Sequence, residues 1–200
     1  AEAGKMYWTH GRGIDRAELG GGSLETLLSV TLSEPQHIAV DAGGGKIYWT
    51  DGGTRKIQRT NLDGTNVEDI VTGLSGPHGI AVDVIEGKIY WTNDFSIQRA
   101  NLDGTNVEDI VTTGLSGPNG ITVNAEGRKI YWTNSSYPRS IQQANWDGTN
   151  VEEIVTELTN PCGIVVDISG EKIYWIGLAR RARPRQYLNL LFSANSASLR

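Results

Sequence analysis

The protein has 200 residues, a formal net charge of −5 and a single cysteine. The negative charge argues against nucleic-acid binding, because contacts with phosphates need a basic surface. No run of the sequence approaches 18 consecutive apolar residues, so we expect no membrane insertion. Cys162 has no second cysteine in the chain, which excludes an internal disulfide bond and a cysteine zinc cluster.

A Tyr-Trp pair recurs five times along the chain. Its tyrosines lie 41, 42, 41 and 43 residues apart, at Tyr7, Tyr48, Tyr90, Tyr131 and Tyr174. The sequence around the pair also repeats, since residues 57–72 and 97–112 differ only at Thr60 versus Ala100. A period of about 40–45 residues is typical of stacked repeat arrays.

Each repeat is predicted to contain four short antiparallel strands, A to D. Within residues 79–112, strand A is "GIAVD", strand B is "KIYWT", strand C is "IQRANL" and strand D is "VEDIVT". The Asp-Gly pair between strands C and D is a strong hairpin signal. In chain order the units cover about 1–35, 36–77, 78–118, 119–161 and 162–185.

Four-stranded antiparallel units of this length are typical of β-propeller blades. We therefore predict an all-β fold, a β-propeller of about five four-stranded blades over residues 1–177. The first and last blades are expected to be incomplete, because the first unit begins at strand B and the last loses the pattern after strand B. An all-β solenoid is the alternative.

The motifs "KIYWTD", "IQRANLDG" and "GIAVD" resemble the YWTD repeats of the low-density lipoprotein receptor class B family. The resemblance covers about residues 5–177. It implies an extracellular or secreted module that binds a protein or peptide, without catalysis and without a cofactor. In that family the repeats usually close into six blades, whereas this sequence has five units.

Residues 178–200 diverge from the repeats. In one interpretation they belong to the last blade, with "QYLNLLFS" as strand C; in the other they are a segment foreign to the repeats. The ring has three possible arrangements: four blades, five blades completed by the tail, or an open arc through which two copies self-associate. The intact "KIYW" at 172–175 favours five blades, because leaving it out would forgo the burial of large side chains.

Sequence signals for catalysis are weak. The chain has three histidines and no signature of a serine hydrolase or a zinc protease. Asp41, Asp83 and Asp167, with Asn124 in the fourth copy, end successive A strands. The aspartates could hold a cation at the mouth of a central channel, as in a metal-dependent propeller hydrolase or lactonase. The simpler interpretation is that each carboxylate accepts hydrogen bonds within its own turn. A structural repeat module without its own ligand is the third alternative.

The repeats differ from one another mainly in the B–C loops and the D–A junctions. The C–D turns are nearly invariant, whereas the B–C loops read "HGRG", "DGGTRK", "NDFS" and "NSSYPRS". In an up-and-down blade the two variable sets lie on the same face, and loops on a rigid scaffold often carry binding residues. The candidate ligand-binding residues on this face are Arg12, Gln36, Arg55, His78, Phe95, Asn119, Tyr137 and Arg139. Asn134-Ser135-Ser136 is also a glycosylation sequon.

Overall fold

The computed structural model describes residues 4–29, 32–167, 169, 171–177 and 195–198. Those residues form strands and connecting turns, with no helix in the described ranges. Consequently the described part of the chain contains no helix long and apolar enough to cross a membrane.

The strands form five antiparallel sheets, and in each sheet the spatial order follows the chain order. The first sheet contains β1 (Lys5–His10), β2 (Gly13–Glu18) and β3 (Glu25–Leu28). The second contains β4 (Pro35–Asp41), β5 (Lys46–Asp51), β6 (Lys56–Asn61) and β7 (Glu68–Thr72). The third contains β8 (Ile80–Asp83), β9 (Lys88–Thr92), β10 (Ile97–Asn101) and β11 (Glu108–Val111). The fourth contains β12 (Pro118–Asn124), β13 (Lys129–Asn134), β14 (Ser140–Asn145) and β15 (Glu152–Val155). The fifth contains β16 (Pro161–Asp167), β17 (Lys172–Gly177) and β18 (Asn195–Ser198).

Four strands per repeat are confirmed in the three middle sheets. The first sheet has no strand A and the fifth has no strand D among the described residues. Strand C of the fifth sheet is β18, which pairs with β17. The predicted strand "QYLNLLFS" lies outside the described residues. β16 belongs to the fifth sheet and is not a strand of the first sheet.

Alternation along strand B explains how the sheets pack. Ile and Trp of "KIYWT" point to one side of the sheet, and Tyr and Thr point to the other. The tyrosine of each sheet shares a buried cluster with the tryptophan of the following sheet. These pairs are Tyr7 with Trp49, Tyr48 with Trp91, Tyr90 with Trp132, and Tyr131 with Trp175. Each large side chain buried in this way contributes about 1.5–3 kcal/mol.

A threonine in strand B hydrogen-bonds each sheet to the next. The Thr50 hydroxyl accepts a bond from the His37 amide of its own sheet at 3.2 Å and donates to the His78 carbonyl of the third sheet at 2.5 Å. Equivalent bonds to the following sheet run from Thr9 to Gln36, from Thr92 to Asn119 and from Thr133 to Cys162. These bonds position the D–A junctions beside the B–C loops.

An arginine in strand C links the sheets at the C–D turns. The Arg59 guanidinium bonds Glu68 at 2.5 Å and donates to the Leu102 carbonyl oxygen in the turn of the third sheet at 3.0 Å. The same inter-sheet bond joins Arg16 to Leu62 and Arg99 to Trp146. In the fourth sheet Gln143 takes this position, and residues 162–200, which include the fifth repeat, contain no Asp-Gly turn for an arginine to reach.

The outer faces of the first and fifth sheets are less covered than the inner ones. Met6 in the first sheet is 38% exposed, whereas its counterparts Ile47 and Ile89 are fully buried. Val165 and Ile176 in the fifth sheet are 55% and 52% exposed. Among the described residues, no cluster of buried side chains unites these two sheets.

Candidate functional site

The B–C loops and the D–A junctions meet on one face, here called the loop rim (residues 10–13, 33–36, 51–56, 75–78, 93–96, 116–119, 134–140 and 159–162). Backbone hydrogen bonds join the two sets of connections within a sheet. The Gly52 amide donates to the Glu34 carbonyl at 2.9 Å, and the Asp94 amide donates to the Ser75 carbonyl at 2.9 Å. These bonds hold the backbone of the variable loops in place, and some of their side chains, such as Phe95 and Tyr137, are exposed.

The two candidate aromatic residues are the most exposed aromatic side chains in the described part of the chain. Phe95 is 77% exposed and Tyr137 is 88% exposed. The Ser116 hydroxyl donates to the Tyr137 carbonyl at 2.8 Å, and Arg139 Nε donates to the Ser135 carbonyl at 3.1 Å. The loop that presents Tyr137 is therefore anchored at its backbone, which lowers the entropic cost of binding through its side chain.

The other two candidate arginines, Arg12 and Arg55, are also exposed. Each lies in the B–C loop of its own sheet, Arg12 in the first and Arg55 in the second. The structure thus distributes the candidate residues along the loop rim, one to three to a sheet, and Tyr137 and Arg139 line the same cavity.

Gln36, His78 and Asn119 have a structural role that sequence reasoning missed. Their backbone carbonyls accept the inter-sheet bonds from the strand B threonines. This role leaves the side chains available: Gln36 is exposed, while His78 and Asn119 are half-buried. Since the bonds use the backbone, the residue type at these positions gave no signal of them.

A histidine pair lies beside these junctions. Burial lowers the pKa of His37, and the nearby charge of His78 lowers it further. His78 Nε2 lies 3.6 Å from an Asp94 carboxylate oxygen. His37 also lines a cavity of about 390 Å³ with residues of the fifth sheet, including Tyr174 and Trp175.

A larger cavity, of about 570 Å³, opens at the fourth sheet. We call it the fourth-sheet cavity. Its lining residues are Tyr137, Pro138, Arg139, Glu153, Thr156, Glu157, Leu158 and Thr159. Sequence reasoning found Tyr137 and Arg139 but missed the two glutamates. A comparison of the repeats would have found Glu157, because the second and third repeats have a glycine at its position.

The channel carboxylates are engaged in their own turns. Asp41 Oδ1 accepts a bond from the Gly44 amide at 2.7 Å, and Asp83 Oδ1 accepts bonds from the amides of Ile85 and Glu86. Asp167 Oδ1 accepts a bond from the hydroxyl of Ser169, at 2.7 Å. Within the described ranges, no three His, Cys, Asp or Glu residues are grouped so that they could hold a metal ion.

The sequon asparagine serves the fold. Asn134 is 1% exposed, and its side-chain amide donates to Ser140 and to Gln142. Its oxygen accepts a bond from the Ser116 amide at 3.1 Å. A side chain buried and bonded in this way is inaccessible for glycosylation in the folded protein.

The repeat assignment is decided by comparison with protein families. Residues 45–84, from the start of β5 to the end of β8, match the model "Low-density lipoprotein receptor repeat class B". This segment carries a low-density lipoprotein receptor class B repeat. The chain is 43% identical over 63 residues to nidogen-2 of Mus musculus, covering 30% of the chain and 4% of nidogen-2. It is 37% identical over 70 residues to low-density lipoprotein receptor-related protein 5 of Mus musculus, covering 33% of the chain and 4% of that receptor-related protein. The matched region is thus a small part of either relative.

The solved structures confirm the propeller fold. A chain in the crystal structure of a nidogen/laminin complex superposes with a TM-score of 0.79 at 27% identity, covering 86% of this chain and 69% of that one. A gluconolactonase from Xanthomonas campestris superposes with a TM-score of 0.67 at 18% identity, covering 83% of this chain and 62% of that one. The second likeness shows the fold alone. The chain is therefore a YWTD-type propeller module, of a kind that fits a protein-binding or structural role.

Proposed function

We propose that the chain is a non-catalytic, extracellular binding module that recognises a protein or peptide on its loop rim. The exposure of Phe95 and Tyr137 carries this proposal. The Tyr-Trp residues of the middle sheets are buried between sheets, whereas these two aromatic rings project from anchored loops. Exposed aromatic side chains, together with arginines such as Arg139, are the residue types enriched at binding hot spots.

Similarity to nidogen supports a protein ligand and an extracellular location. The nidogen structure that this chain resembles is a complex with laminin. We therefore take laminin as the first partner to test. The local hydrogen bonds of Asp41, Asp83 and Asp167 support the non-catalytic part of the proposal, because they assign these carboxylates to turns rather than to a reactive centre.

The test is surface plasmon resonance on immobilised laminin. Phe95→Ala and Tyr137→Ala should each weaken binding by roughly 1–3 kcal/mol, which is about 5- to 150-fold in Kd. The matched controls are Val67→Ala and Val107→Ala, two side chains next to the C–D turns that are 46% and 45% exposed. Equal affinity of the loop-rim variants and the parent protein, or an equal loss in the controls, would contradict the proposed face.

Self-association is a second proposal, supported by the exposed apolar side chains of the outer sheets. Met6, Val165 and Ile176 lie on faces that are covered in the inner sheets. A protein that pairs through these faces should show a mass that rises with concentration in light scattering coupled to size exclusion. Ile176→Asp should abolish that rise; a constant monomer mass in the parent protein would contradict self-association.

A further inference from the structure

The fourth-sheet cavity contains a carboxylate, Glu153, whose counterparts in the second and third repeats are hydrogen-bonded. Its counterpart Asp69 bonds Lys56 Nζ and Gln58 Nε2, both at 2.7 Å, and its counterpart Asp109 bonds Gln98 Nε2 at 2.9 Å. Among the residues described in the structure, the Glu153 carboxylate has no such hydrogen bond or ion pair. Glu153 is exposed and lines the cavity, so its carboxylate is accessible to a ligand.

A second carboxylate enters the cavity where the second and third repeats have glycine. Gly73 and Gly114 have φ angles of +75° and +72°, and a Cβ on either would have no atom within 4 Å. Glu157 has a φ of 58° at the equivalent position. A non-glycine residue in this conformation costs roughly 1–2 kcal/mol. Glu157 adopts this conformation despite its energetic cost, and its exposed side chain lines the cavity.

The other residues that line the cavity indicate the charge of the ligand. Tyr137 contributes an aromatic side chain that is 88% exposed, and aromatic rings attract cations. Arg139 lines the same cavity, but its single positive charge offsets only one of the two carboxylates. The walls therefore carry a net negative charge, which disfavours an anionic ligand. Two carboxylates are also too few for a calcium ion, which takes about 6–8 oxygen ligands.

We propose that the fourth-sheet cavity receives a lysine or arginine side chain of the bound protein. Glu153 and Glu157 bind the charged group, and the Tyr137 ring packs against it. The inference rests on the proposed binding function of the loop rim and adds the chemistry of the ligand. No other repeat has this combination among its described residues, so the site belongs to the fourth sheet alone.

The test is an NMR titration of the ¹⁵N-labelled protein with three blocked pentapeptides. Their central residue is arginine, lysine or glutamate, and the flanking residues are glycines. The arginine and lysine peptides should produce saturable shifts of the backbone amides of Tyr137, Arg139, Glu153 and Glu157. The glutamate peptide should not shift these amides. High salt should weaken the binding, because the site is exposed.

Two variants assign the effect to the carboxylates. Glu153→Gln and Glu157→Gly should each weaken binding of the cationic peptides roughly tenfold or more. Glu157→Gly also restores the residue of the other repeats, so it should fold at least as well as the parent. The matched control is Asp109→Asn in the third sheet, whose carboxylate is paired with Gln98 and should leave peptide binding unchanged.

The pocket proposal is overturned if no cationic peptide gives saturable shifts, if the glutamate peptide shifts the same amides equally, or if both glutamate variants bind as tightly as the parent. Its failure is distinguishable from failure of the proposed function. If Phe95→Ala weakens laminin binding while both glutamate variants bind laminin and the peptides normally, the proposed loop-rim function is supported. The proposal for the fourth-sheet cavity is then refuted. If the cationic peptides give saturable shifts but Phe95→Ala and Tyr137→Ala leave laminin binding unchanged, the proposal for the fourth-sheet cavity is supported. The proposed laminin binding on the loop rim is then refuted.

Discussion

The C–D turns and the loop rim differ in how their residues are used. At the turns, the same bonds recur from sheet to sheet, as in Arg59 to Leu102 and Arg99 to Trp146. Tyr137 on the loop rim and Glu157 in the fourth-sheet cavity have no equivalent in the second and third repeats. The recurring arginine bonds hold adjacent sheets together, whereas the side chains of Tyr137 and Glu157 make no such bond among the described residues. Repetition within one chain thus separates scaffold residues from candidate binding residues.

The largest expected effect is on the core between the sheets. Trp91 is fully buried in the cluster that joins the second and third sheets. Trp91→Ala should lower the free energy of unfolding by about 3–5 kcal/mol, because it removes apolar contacts and leaves a cavity. Tyr137→Ala should change it by less than about 0.5 kcal/mol. Urea denaturation followed by tryptophan fluorescence and circular dichroism measures both; similar losses would remove the distinction between the two regions.

Two glycines sharpen the comparison further. Gly104 in a C–D turn has a φ of +83°, and a Cβ there would lie 2.1 Å from the Ile70 carbonyl oxygen of the preceding sheet. Gly114, near the loop rim, has a φ of +72° and open space around it. Both alanine variants incur backbone strain, but Gly104→Ala also forces the sheets apart. We expect it to destabilise the protein by about 1–3 kcal/mol more than Gly114→Ala, as measured by thermal and urea unfolding.

The threonine bonds between sheets should contribute less. Thr92 accepts a bond from the Gly79 amide and donates to the Asn119 carbonyl. Thr92→Val keeps the shape and leaves both backbone groups without this partner, so the free energy of unfolding should fall by about 1–3 kcal/mol. Thr112, which is exposed, is the control, and Thr112→Val should have little effect. If Thr92→Val leaves the free energy of unfolding unchanged, the inter-sheet bonds do not stabilise the fold.

The smallest effect concerns acid stability at Asp51. Burial raises the pKa of this carboxyl, but backbone hydrogen bonds from Ser33, Thr54 and Glu34 outweigh burial, so the pKa is lowered overall. A carboxyl group with a lowered pKa in the folded state stabilises the fold above its unfolded pKa of about 3.9, and this stabilisation is lost as the pH falls. Asp51→Asn should therefore reduce the acid-induced loss of stability, as measured by urea unfolding at neutral and acidic pH. An unchanged pH dependence would contradict this account.

The sequence predicted the fold well because one physical pattern repeats. The period, the alternation of "KIYWT" and the Asp-Gly turns each constrain the backbone locally, and together they identify the sheets. The repeat signals do not extend to β18, so they could not predict this strand. Asn134 illustrates a second limit, since a local sequon does not report that tertiary contacts bury the side chain.

The candidate site was predictable only in part. Phe95 and Tyr137 were found because they are unusual residues in variable loops. The role of His78 was hidden because its carbonyl, not its side chain, makes the inter-sheet bond. Glu153 could be identified only from the three-dimensional structure. The change from the aspartates of the second and third repeats is small in the sequence, and the missing hydrogen bond of Glu153 is visible only in the fold.

The most direct test of the distinction between scaffold and binding face is hydrogen–deuterium exchange of the protein with and without laminin. Binding on the loop rim should slow exchange in residues 93–96 and 134–140. The C–D turns at 61–66, 101–106 and 145–150 should exchange at the same rate in both states. Slower exchange in the C–D turns, with no change at 93–96 and 134–140, would contradict the account and move the binding face to the opposite side of the propeller.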